Sequence, residues 1–224
     1  MGRNKPPSRA FRLLLGVACS ASLGSAHAGA TSTFDTDTEG WKLFGDSTTS
    51  DPSYVASGGN PGGYIHGTDR TIGGVWYWQA PSKFLGDNSG SYGQTLSFDL
   101  RMRGSGPLFD DADVILAGGG VTLVFDFAAV PADTGWTPYA VELSEAAGWR
   151  VSTLGGALAT KAQIQAALGA TTALRIRGEF ITGTDNGDLD NVLLPAVPEP
   201  EAYALFLAGL GVMGAAVKRR RSMR

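Results

Sequence analysis

Hydrophobic and polar residues alternate along short stretches in the middle of the chain. In residues 96–103, LSFDLRMR, the even positions are apolar and the odd positions are polar. In residues 174–177, LRIR, two apolar residues alternate with Arg175 and Arg177. A period of two is typical of a strand with one buried face, so we expect Arg175 and Arg177 to point outward.

The same patterning extends to most of the domain. Strands are predicted at residues 73–80, 94–103, 113–127, 137–143, 173–180 and 189–194. The run Gly118 to Gly120 predicts a hairpin turn within the third stretch. One short helix is predicted at Lys161 to Leu168, since Thr160 and Gln163 have the spacing of a capping box. Short strands, glycine-rich turns and one helix indicate an all-β fold, an antiparallel β-sandwich.

The first 28 residues have the features of an export signal. A basic beginning is followed by an apolar stretch at residues 13–23 and by the cleavage pattern Ala26-His27-Ala28. We therefore predict a signal peptide at residues 1–28 and a mature domain at residues 29–196. Two alternatives are a retained membrane anchor and a lipoprotein signal that uses Cys19.

The end of the chain, residues 197–224, predicts a second localisation signal. Residues 202–217 are apolar and uncharged, and as a helix they would extend about 24 Å, against about 30 Å of hydrocarbon core. The basic cluster at residues 218–221, KRRR, would stay on the cytoplasmic side. We expect a C-terminal transmembrane helix that leaves the preceding domain outside.

This ending resembles a known bacterial signal. Val197 is followed by Pro198, Glu199 and Pro200, then by the apolar run and the arginines, as in the PEP-CTERM sorting signal of Gram-negative bacteria. The resemblance implies that a membrane protease, exosortase, processes the tail. It also implies an inner-membrane intermediate, followed by delivery to the cell surface or the extracellular matrix.

Charge and composition narrow the chemistry of the domain. Residues 29–196 contain nine Lys and Arg and nineteen Asp and Glu, a net charge of −10. This balance argues against nucleic acid, whose binding rests on basic residues, and permits divalent cations. The domain has no cysteine and one histidine, His66, which excludes disulfides, thiol chemistry and a multi-histidine zinc site.

Several spaced blocks of the domain resemble the laminin B domain, also called laminin IV type A. They are WYWQAPSKFLGDNSGSYGQTLSFDLR at residues 76–101, WTPYAVELSEAAGW at 136–149, LRIRGEF at 174–180 and LDNVLL at 189–194. The similarity extends over about residues 34–194. It implies a jelly-roll-like sandwich related to galactose-binding folds, without catalytic activity and without one agreed ligand.

Two acidic clusters bracket the domain. Asp35 and Asp37 lie near its start, and Asp188 and Asp190 lie near its end. First and last strands of a sandwich are often neighbours, and carboxylate oxygens suit Ca²⁺, so these four residues predict a structural calcium site. The alternative is a solvated turn at residues 185–191.

Residues 35–46 also match the start of an EF-hand loop, with acids at positions one, three and five and glycine at six. No helix can precede this loop so close to the start of the mature chain. A first strand and turn, with Phe34 and Trp41 in the core, is the preferred interpretation.

Two other groups of residues are candidate sites. Trp76 and Trp78 share one strand face, so they form either a sugar-stacking platform or part of the core, and the core is favoured. The acids of FDDAD, residues 109–113, could hold a general acid and base, but a solvated loop is the preferred interpretation.

Three functions are compatible with these features. The first is an exported, non-enzymatic surface or matrix protein with an adhesive or structural role. The alternative is a carbohydrate-binding module for exopolysaccharide, which would use tryptophan and tyrosine side chains, with Trp76 and Trp78 as candidates, together with calcium. A carboxylate-based glycosidase is the weakest, because the sequence shows no convergent pair of acids.

Overall fold

The computed structural model describes residues 29–45, 51–69 and 73–197. The predicted signal peptide, the residues Pro198, Glu199 and Pro200, and the apolar run 202–217 lie outside these ranges. Within the described ranges, no helix is long and apolar enough to cross a membrane.

The described chain forms twelve strands and one α-helix. In order, the elements are β1 Ala30–Ser32, β2 Lys42–Gly45, β3 Ser53–Gly59, β4 Gly62–Thr68, β5 Trp76–Gln79, β6 Thr95–Arg103, β7 Val114–Gly118, β8 Val121–Phe125, β9 Thr137–Glu142, β10 Arg150–Val151, α1 Lys161–Gly169, β11 Thr171–Arg177 and β12 Asn186–Leu194. Three short 3₁₀ turns lie at Ser82–Phe84, Ser89–Ser91 and Glu145–Ala147.

The strands form two six-stranded sheets, and all the described strand pairs are antiparallel. The first sheet has the order β3-β4-β12-β6-β9, and β1 also pairs with β12. The second sheet has the order β10-β8-β7-β11-β5-β2. The predicted all-β sandwich with one helix is therefore confirmed.

The core lies between the two sheets and follows the predicted alternation. The apolar residues of β6 are buried, while Arg103 at its end is exposed. From the second sheet, Leu174 and Ile176 of β11 join the same hydrophobic cluster. Burying a side chain of this size stabilises the fold by about 1.5–3 kcal/mol relative to leaving it in water.

Trp76 and Trp78 of β5 are both fully buried in this core, and their rings are in edge contact with centroids 5.0 Å apart. A Cβ atom at Gly67 of the first sheet would lie 2.8 Å from the Trp76 ring, and one at Gly178 would lie 2.0 Å from it. Only glycine therefore permits the two backbones to approach Trp76 so closely. The interpretation as core is correct, and the two tryptophans form no surface platform for a sugar.

Local sequence signals set the turn and the helix as predicted. Gly119 and Gly120 have φ angles of +54° and +77° and join Gly118 to Val121, the closing pair of the β7–β8 hairpin. Such positive angles favour glycine, because a side chain would be strained there. Helix α1 begins after Thr160, whose side chain and Gln163 form the predicted capping box.

The β3–β4 hairpin was not predicted from the sequence. Residues 53–68, SYVASGGNPGGYIHGT, contain many glycines and one proline, which are depleted in strands. Strand β4 nevertheless pairs along β12, and this pairing brings Tyr64 and His66 onto the first sheet. Tertiary pairing outweighs the weak local preference for a strand.

The start and the end of the domain lie together, as expected. Strand β1 pairs with β12, with Ser32 opposite Val192. Phe34 and Trp41 are both fully buried, as predicted for a first strand and turn. The segment before Asp35 is strand β1, so the EF-hand interpretation stays excluded.

Candidate functional site

The outer face of the first sheet, which points away from the core, carries a row of charged residues. His66 of β4, Asp188 of β12 and Arg101 of β6 are register partners across three neighbouring strands. Arg103 follows Arg101 on the same face, because side chains two apart in a strand point the same way. The alternation of each strand therefore brings four ionisable groups together.

The Asp188 carboxylate lies at the centre of this group and is fully buried. Its Oδ1 is 2.7 Å from Nδ1 of His66, and its Oδ2 accepts hydrogen bonds of 2.7 Å from Nε of Arg101 and from Nε of Arg103. We call these four residues the Asp188 cluster. Two guanidinium groups and an imidazole surround one carboxylate, so the cluster carries an excess of positive charge.

Two opposing effects act on the pKa of Asp188. Burial by itself raises it, but hydrogen bonds from His66, Arg103 and Arg101 outweigh burial and lower the pKa below its ordinary value. The Asp188 carboxylate therefore stays ionised at neutral pH. The hydrogen bond to Asp188 in turn raises the pKa of Arg103.

Two aromatic rings hold one of the arginines. The guanidinium carbon of Arg101 lies 4.4 Å from the ring centroid of Trp136 and 5.0 Å from that of Tyr64. The two rings contact each other edge to face at 5.5 Å, and Nε1 of Trp136 donates a hydrogen bond to the carbonyl oxygen of Gly58. Cation–π contacts of this kind fix the position of Arg101 and leave Arg103 at the margin.

The Asp188 cluster is open to solvent at that margin. The Arg103 side chain is 46% exposed and the His66 side chain is 29% exposed. The cluster can therefore contact a molecule outside the protein.

Acidic and amide side chains occupy the neighbouring part of the same face. Asp190 and Asp99 are register partners on β12 and β6, and both are buried. The side-chain amides of Asn60 and Asn191 donate hydrogen bonds of 3.1 and 2.8 Å to Oδ2 of Asp99. Burial raises the pKa of Asp190 to about 6, backbone N–H groups of Asn60 and Asn191 offset part of this, and the charges of Asp99 and Asp35 add to it.

The four predicted calcium ligands are not brought to one point. Both carboxylate oxygens of Asp188 are bonded to His66, Arg101 and Arg103. As a correction, Asp188 is therefore removed from the set of predicted calcium ligands. The negative charge of Asp35 contributes to the raised pKa of Asp190, whereas Asp37 accepts a hydrogen bond from the backbone N–H of Glu39. Across residues 29–45, 51–69 and 73–197, no group of three or more His, Cys, Asp or Glu side chains is arranged to hold a metal ion.

Residues 185–191 also do not form a solvated turn, so this alternative to a calcium site is wrong. Asn186 to Leu194 form the central strand β12 of the first sheet, and Asp185, Asp188 and Asp190 are buried. Asp185 accepts hydrogen bonds from the backbone N–H of Phe180 and from Nε1 of Trp76. Calcium binding by Asp35, Asp37 and Asp190 stays a prediction.

The outer face of the second sheet holds a buried cation. Arg177 of β11 points outward, as predicted, but its side chain is only 2% exposed because residues 109–113 cover it. Its guanidinium donates hydrogen bonds to the carbonyl oxygens of Phe109, Asp111 and Glu179, at 2.7, 3.1 and 2.5 Å. Arg177 therefore anchors the covering loop to the sheet.

The acids of FDDAD belong to this anchor. Asp113 lies 3.4 Å from Arg177 and accepts a hydrogen bond from the backbone N–H of Phe127, and Asp111 accepts one from the Tyr77 hydroxyl. Burial raises the pKa of Asp113 to about 6, although the Phe127 N–H and Arg177 lower it in part. We call Arg177, Asp113, Asp111 and Tyr77 the Arg177 cluster. Its carboxylates bind protein groups, and the expectation of a solvated loop is wrong for Asp113, which is buried.

A groove of about 400 Å³ lies beside the Arg177 cluster on the second sheet. Ile115 and Val124 form part of its lining, and Asp110, Asp111 and the loop at residues 152–155 complete it. It contains no arginine or aromatic side chain in its lining, and its charged groups are acidic. The two outer faces therefore differ in the ligands that they suit.

Sequence reasoning did not identify the Asp188 cluster. The alternation in residues 96–103 did place Arg101 and Arg103 outward, but it gave no information about their partners. Tyr64 and His66 lie on a strand that was not predicted, and Trp136 lies in the loop before β9. The available signal was the arginine pair itself, because a domain of net charge −10 has few cations.

Two family models match the chain. Laminin B (Domain IV) matches residues 77–203, and the PEP-CTERM protein-sorting motif matches residues 196–221. Both agree with the resemblances found in the sequence.

Laminin subunits are among the similar proteins. Laminin subunit gamma-1 of Homo sapiens is 32% identical over 138 residues, which cover 58% of this chain and 8% of that protein. Laminin subunit gamma-2 of Homo sapiens is 35% identical over 101 residues, covering 42% of this chain and again 8% of the relative. The chain thus corresponds to a small part of these long proteins.

The fold has a counterpart among solved structures. The L4b domain of human laminin alpha-2 superposes with a TM-score of 0.61 at 13% identity, covering 77% of this chain and 99% of that domain. At this identity the similarity concerns the fold alone, and it agrees with the two-sheet sandwich described above.

Proposed function

This chain belongs to the laminin B (Domain IV) family, and from that premise we propose that it is a non-enzymatic adhesive or structural module of the cell surface or extracellular matrix. The laminin B domain and the sorting motif together support an exported surface protein. The observation that carries the proposal is their order in one chain, with the domain before the sorting motif. A tail that is read during export places the preceding domain outside the cell.

The processing step follows from the same motif. An exosortase would recognise Pro198, Glu199 and Pro200 and cut the chain near them, after the apolar run 202–217 had held it in the inner membrane. The signal peptide 1–28 would already have been removed. The released or surface-bound product would be close to the domain of residues 29–196.

The arrangement of the acids supports a non-enzymatic role. A glycosidase of the usual type needs two carboxyl groups facing one bond, about 5–10 Å apart. Asp111 is bonded to Tyr77, and Asp113 is bonded to Phe127 and Arg177. Asp188 is bonded to the two arginines and the histidine of its cluster. Each of these carboxylates already serves the fold.

The proposal is tested by following the full-length chain in a Gram-negative host with its exosortase. Intact-mass analysis should find a surface form that lacks residues 1–28 and the tail beyond Pro198 to Pro200. Glu199→Ala should leave a longer, membrane-bound form, whereas the neighbouring change Glu201→Ala should be processed like the wild type. An untouched C-terminus on the surface form, or equal processing of both variants, would contradict the proposal.

A further inference from the structure

We propose that the open margin of the Asp188 cluster binds the carboxylate of a uronic acid in an acidic polysaccharide. The inference deepens the proposed function, because it names the matrix component that an exported module would hold. The proposed site differs from the sugar-stacking platform that the sequence suggested at Trp76 and Trp78, since both tryptophans are buried.

The first argument is the unused hydrogen-bonding capacity of the two arginines. Each binds Asp188 through Nε. One terminal nitrogen of Arg103, Nη2, contacts the Tyr64 hydroxyl at 3.4 Å. Among the described residues, Nη1 of Arg103 and both terminal nitrogens of Arg101 have no acceptor, and the planar fork of a guanidinium matches a carboxylate.

The second argument is charge. The domain has a net charge of −10, yet two of its nine Lys and Arg side chains converge on a single buried carboxylate. Asp188 neutralises one of the two arginine charges, so the margin retains a positive charge that faces solvent at Arg103. An anionic ligand is attracted to this point, and the acidic remainder of the surface disfavours binding elsewhere.

The third argument concerns the class of polymer. Trp136 lies half-buried beside the arginines, in edge contact with the buried ring of Tyr64, and the exposed residue Asn60 lies further along the same face, next to Asn191. A partly accessible indole ring beside an exposed amide residue and a guanidinium group offers a sugar both apolar contact and partners for hydroxyl groups. An acidic peptide would use the charge but not this combination.

Fixed side chains reduce the cost of binding. Arg101 is held by two rings and by Asp188, and Arg103 is held by Asp188 and Tyr64. Ordering a free arginine on binding costs side-chain conformational entropy, and most of this cost is already met in the folded domain. The geometry is therefore preorganised for a ligand at Arg103.

The test is isothermal titration of the purified full-length chain, in mild detergent, with polygalacturonate. Neutral galactan and poly-glutamate provide the uncharged and the non-sugar comparisons, and dextran sulfate distinguishes sulfate from carboxylate. We expect polygalacturonate to bind more tightly than the other three polymers. Binding is measured on purified protein, so its outcome does not depend on delivery or processing of the chain.

Matched variants locate the site. Arg103→Gln should weaken polygalacturonate binding by about tenfold or more, as for the loss of a charged hydrogen bond. Arg150→Gln removes the same charge from an exposed residue of β10 in the second sheet and should leave binding unchanged. Arg103→Lys keeps a cation beside Asp188 but loses the planar fork, so it should fold normally and still bind less tightly.

Several results would overturn the proposal. They are the absence of polygalacturonate binding, equal binding of poly-glutamate or dextran sulfate, and equal losses in Arg103→Gln and Arg150→Gln. Full affinity in a folded Arg103→Lys variant would show that a point charge suffices and would also contradict it. Failure of processing in the host, with binding intact, would instead overturn the proposed function and leave this inference standing.

Discussion

The outer face of each sheet carries a cluster built around a buried charged side chain, and the two central side chains differ in sign and in the access of their partners to water. On the first sheet, the carboxylate of Asp188 is surrounded by cations, and Arg103 and His66 of its cluster reach solvent. On the second sheet, Arg177 is surrounded by carbonyl oxygens and Asp113, and a loop closes over it. One cluster is open and the other is closed.

This difference separates a structural ion pair from a candidate binding site. In the closed cluster, the groups that surround Arg177 are themselves part of the protein, so Arg177 serves to anchor the loop at residues 109–113. In the open cluster, the arginines retain donors that Asp188 does not use. Burial of one charge is therefore no sign of function by itself; what matters is whether its partners have capacity left for a ligand.

The largest expected effect on stability comes from replacing Arg177, the cation of the Arg177 cluster. Arg177→Met leaves Asp113 buried without its cation and frees three carbonyl acceptors, which should cost about 3–5 kcal/mol of the free energy of unfolding. Urea denaturation at neutral pH measures the loss. Arg175→Met, two positions earlier on the same face, should cost much less, because Arg175 is partly exposed and contacts Phe44 and Gln79. Equal losses would show that the closed cluster is not the anchor.

A smaller loss in the free energy of unfolding is expected when the Asp188 cluster is changed. Asp188→Asn removes the common partner of Arg101, Arg103 and His66, and charged hydrogen bonds of this kind contribute about 1.5–3 kcal/mol each. Arg103 and His66 can be rehydrated, so the net cost should lie near the lower end. The exposed pair of Asp51 with Lys42 provides the control, since Asp51→Asn should change little.

Melting of Asp188→Asn with calcium and with EDTA also tests the calcium prediction. If Asp188 acts only in ion pairs, the variant should lose the same stability in both solutions. A calcium-dependent stabilisation of the wild type that disappears in Asp188→Asn would restore Asp188 as a ligand. A calcium effect that disappears in Asp190→Ala would instead place the ion at Asp190, with Asp35 and Asp37 as the other candidate ligands.

The smallest expected effect is the change in the stability of the fold with pH, which follows from the protonation of buried carboxyl groups. Asp113 and Asp190, one on each outer face, both have a pKa raised to about 6. A carboxyl with a raised folded-state pKa contributes stability below its unfolded pKa near 3.8, and this contribution is lost as the pH rises through about 6. Asp188 has the opposite sign, because its pKa is lowered and its contribution is lost in acid.

Replacing Asp99 should change the pKa of Asp190 without changing the pKa of Asp113. Asp99→Asn keeps an oxygen for the amides of Asn60 and Asn191 but removes the charge beside Asp190, so the pKa of Asp190 should fall. The pKa of Asp113 on the second sheet should not change. Carbon-13 NMR titration of the carboxyl groups measures both values, and a common shift would mean that the two faces are electrostatically coupled.

The strands that sequence reasoning found are those with a strong local signal. Residues 96–103 alternate without interruption, and Gly119 with Gly120 permits one type of turn, so β6 and the β7–β8 hairpin were predictable. Thr160 and Gln163 identified the start of the helix in the same way. Residues 53–68 lack such a signal, and the β3–β4 hairpin was missed because its stability comes from pairing with β12.

The sequence alone determined the all-β sandwich, the alternation of β6 and β11, the burial of Phe34 and Trp41 and the sorting motif, because each depends on residues close together in the chain. Only the tertiary structure decided that Asp188 meets Arg101, Arg103 and His66, which are separated from it by 85 to 122 positions. It also decided that Arg177, outward by pattern, is covered by a loop. The physical reason is that a period of two fixes the face on which a side chain lies, whereas strand order and loop packing fix the neighbours that determine its charge environment.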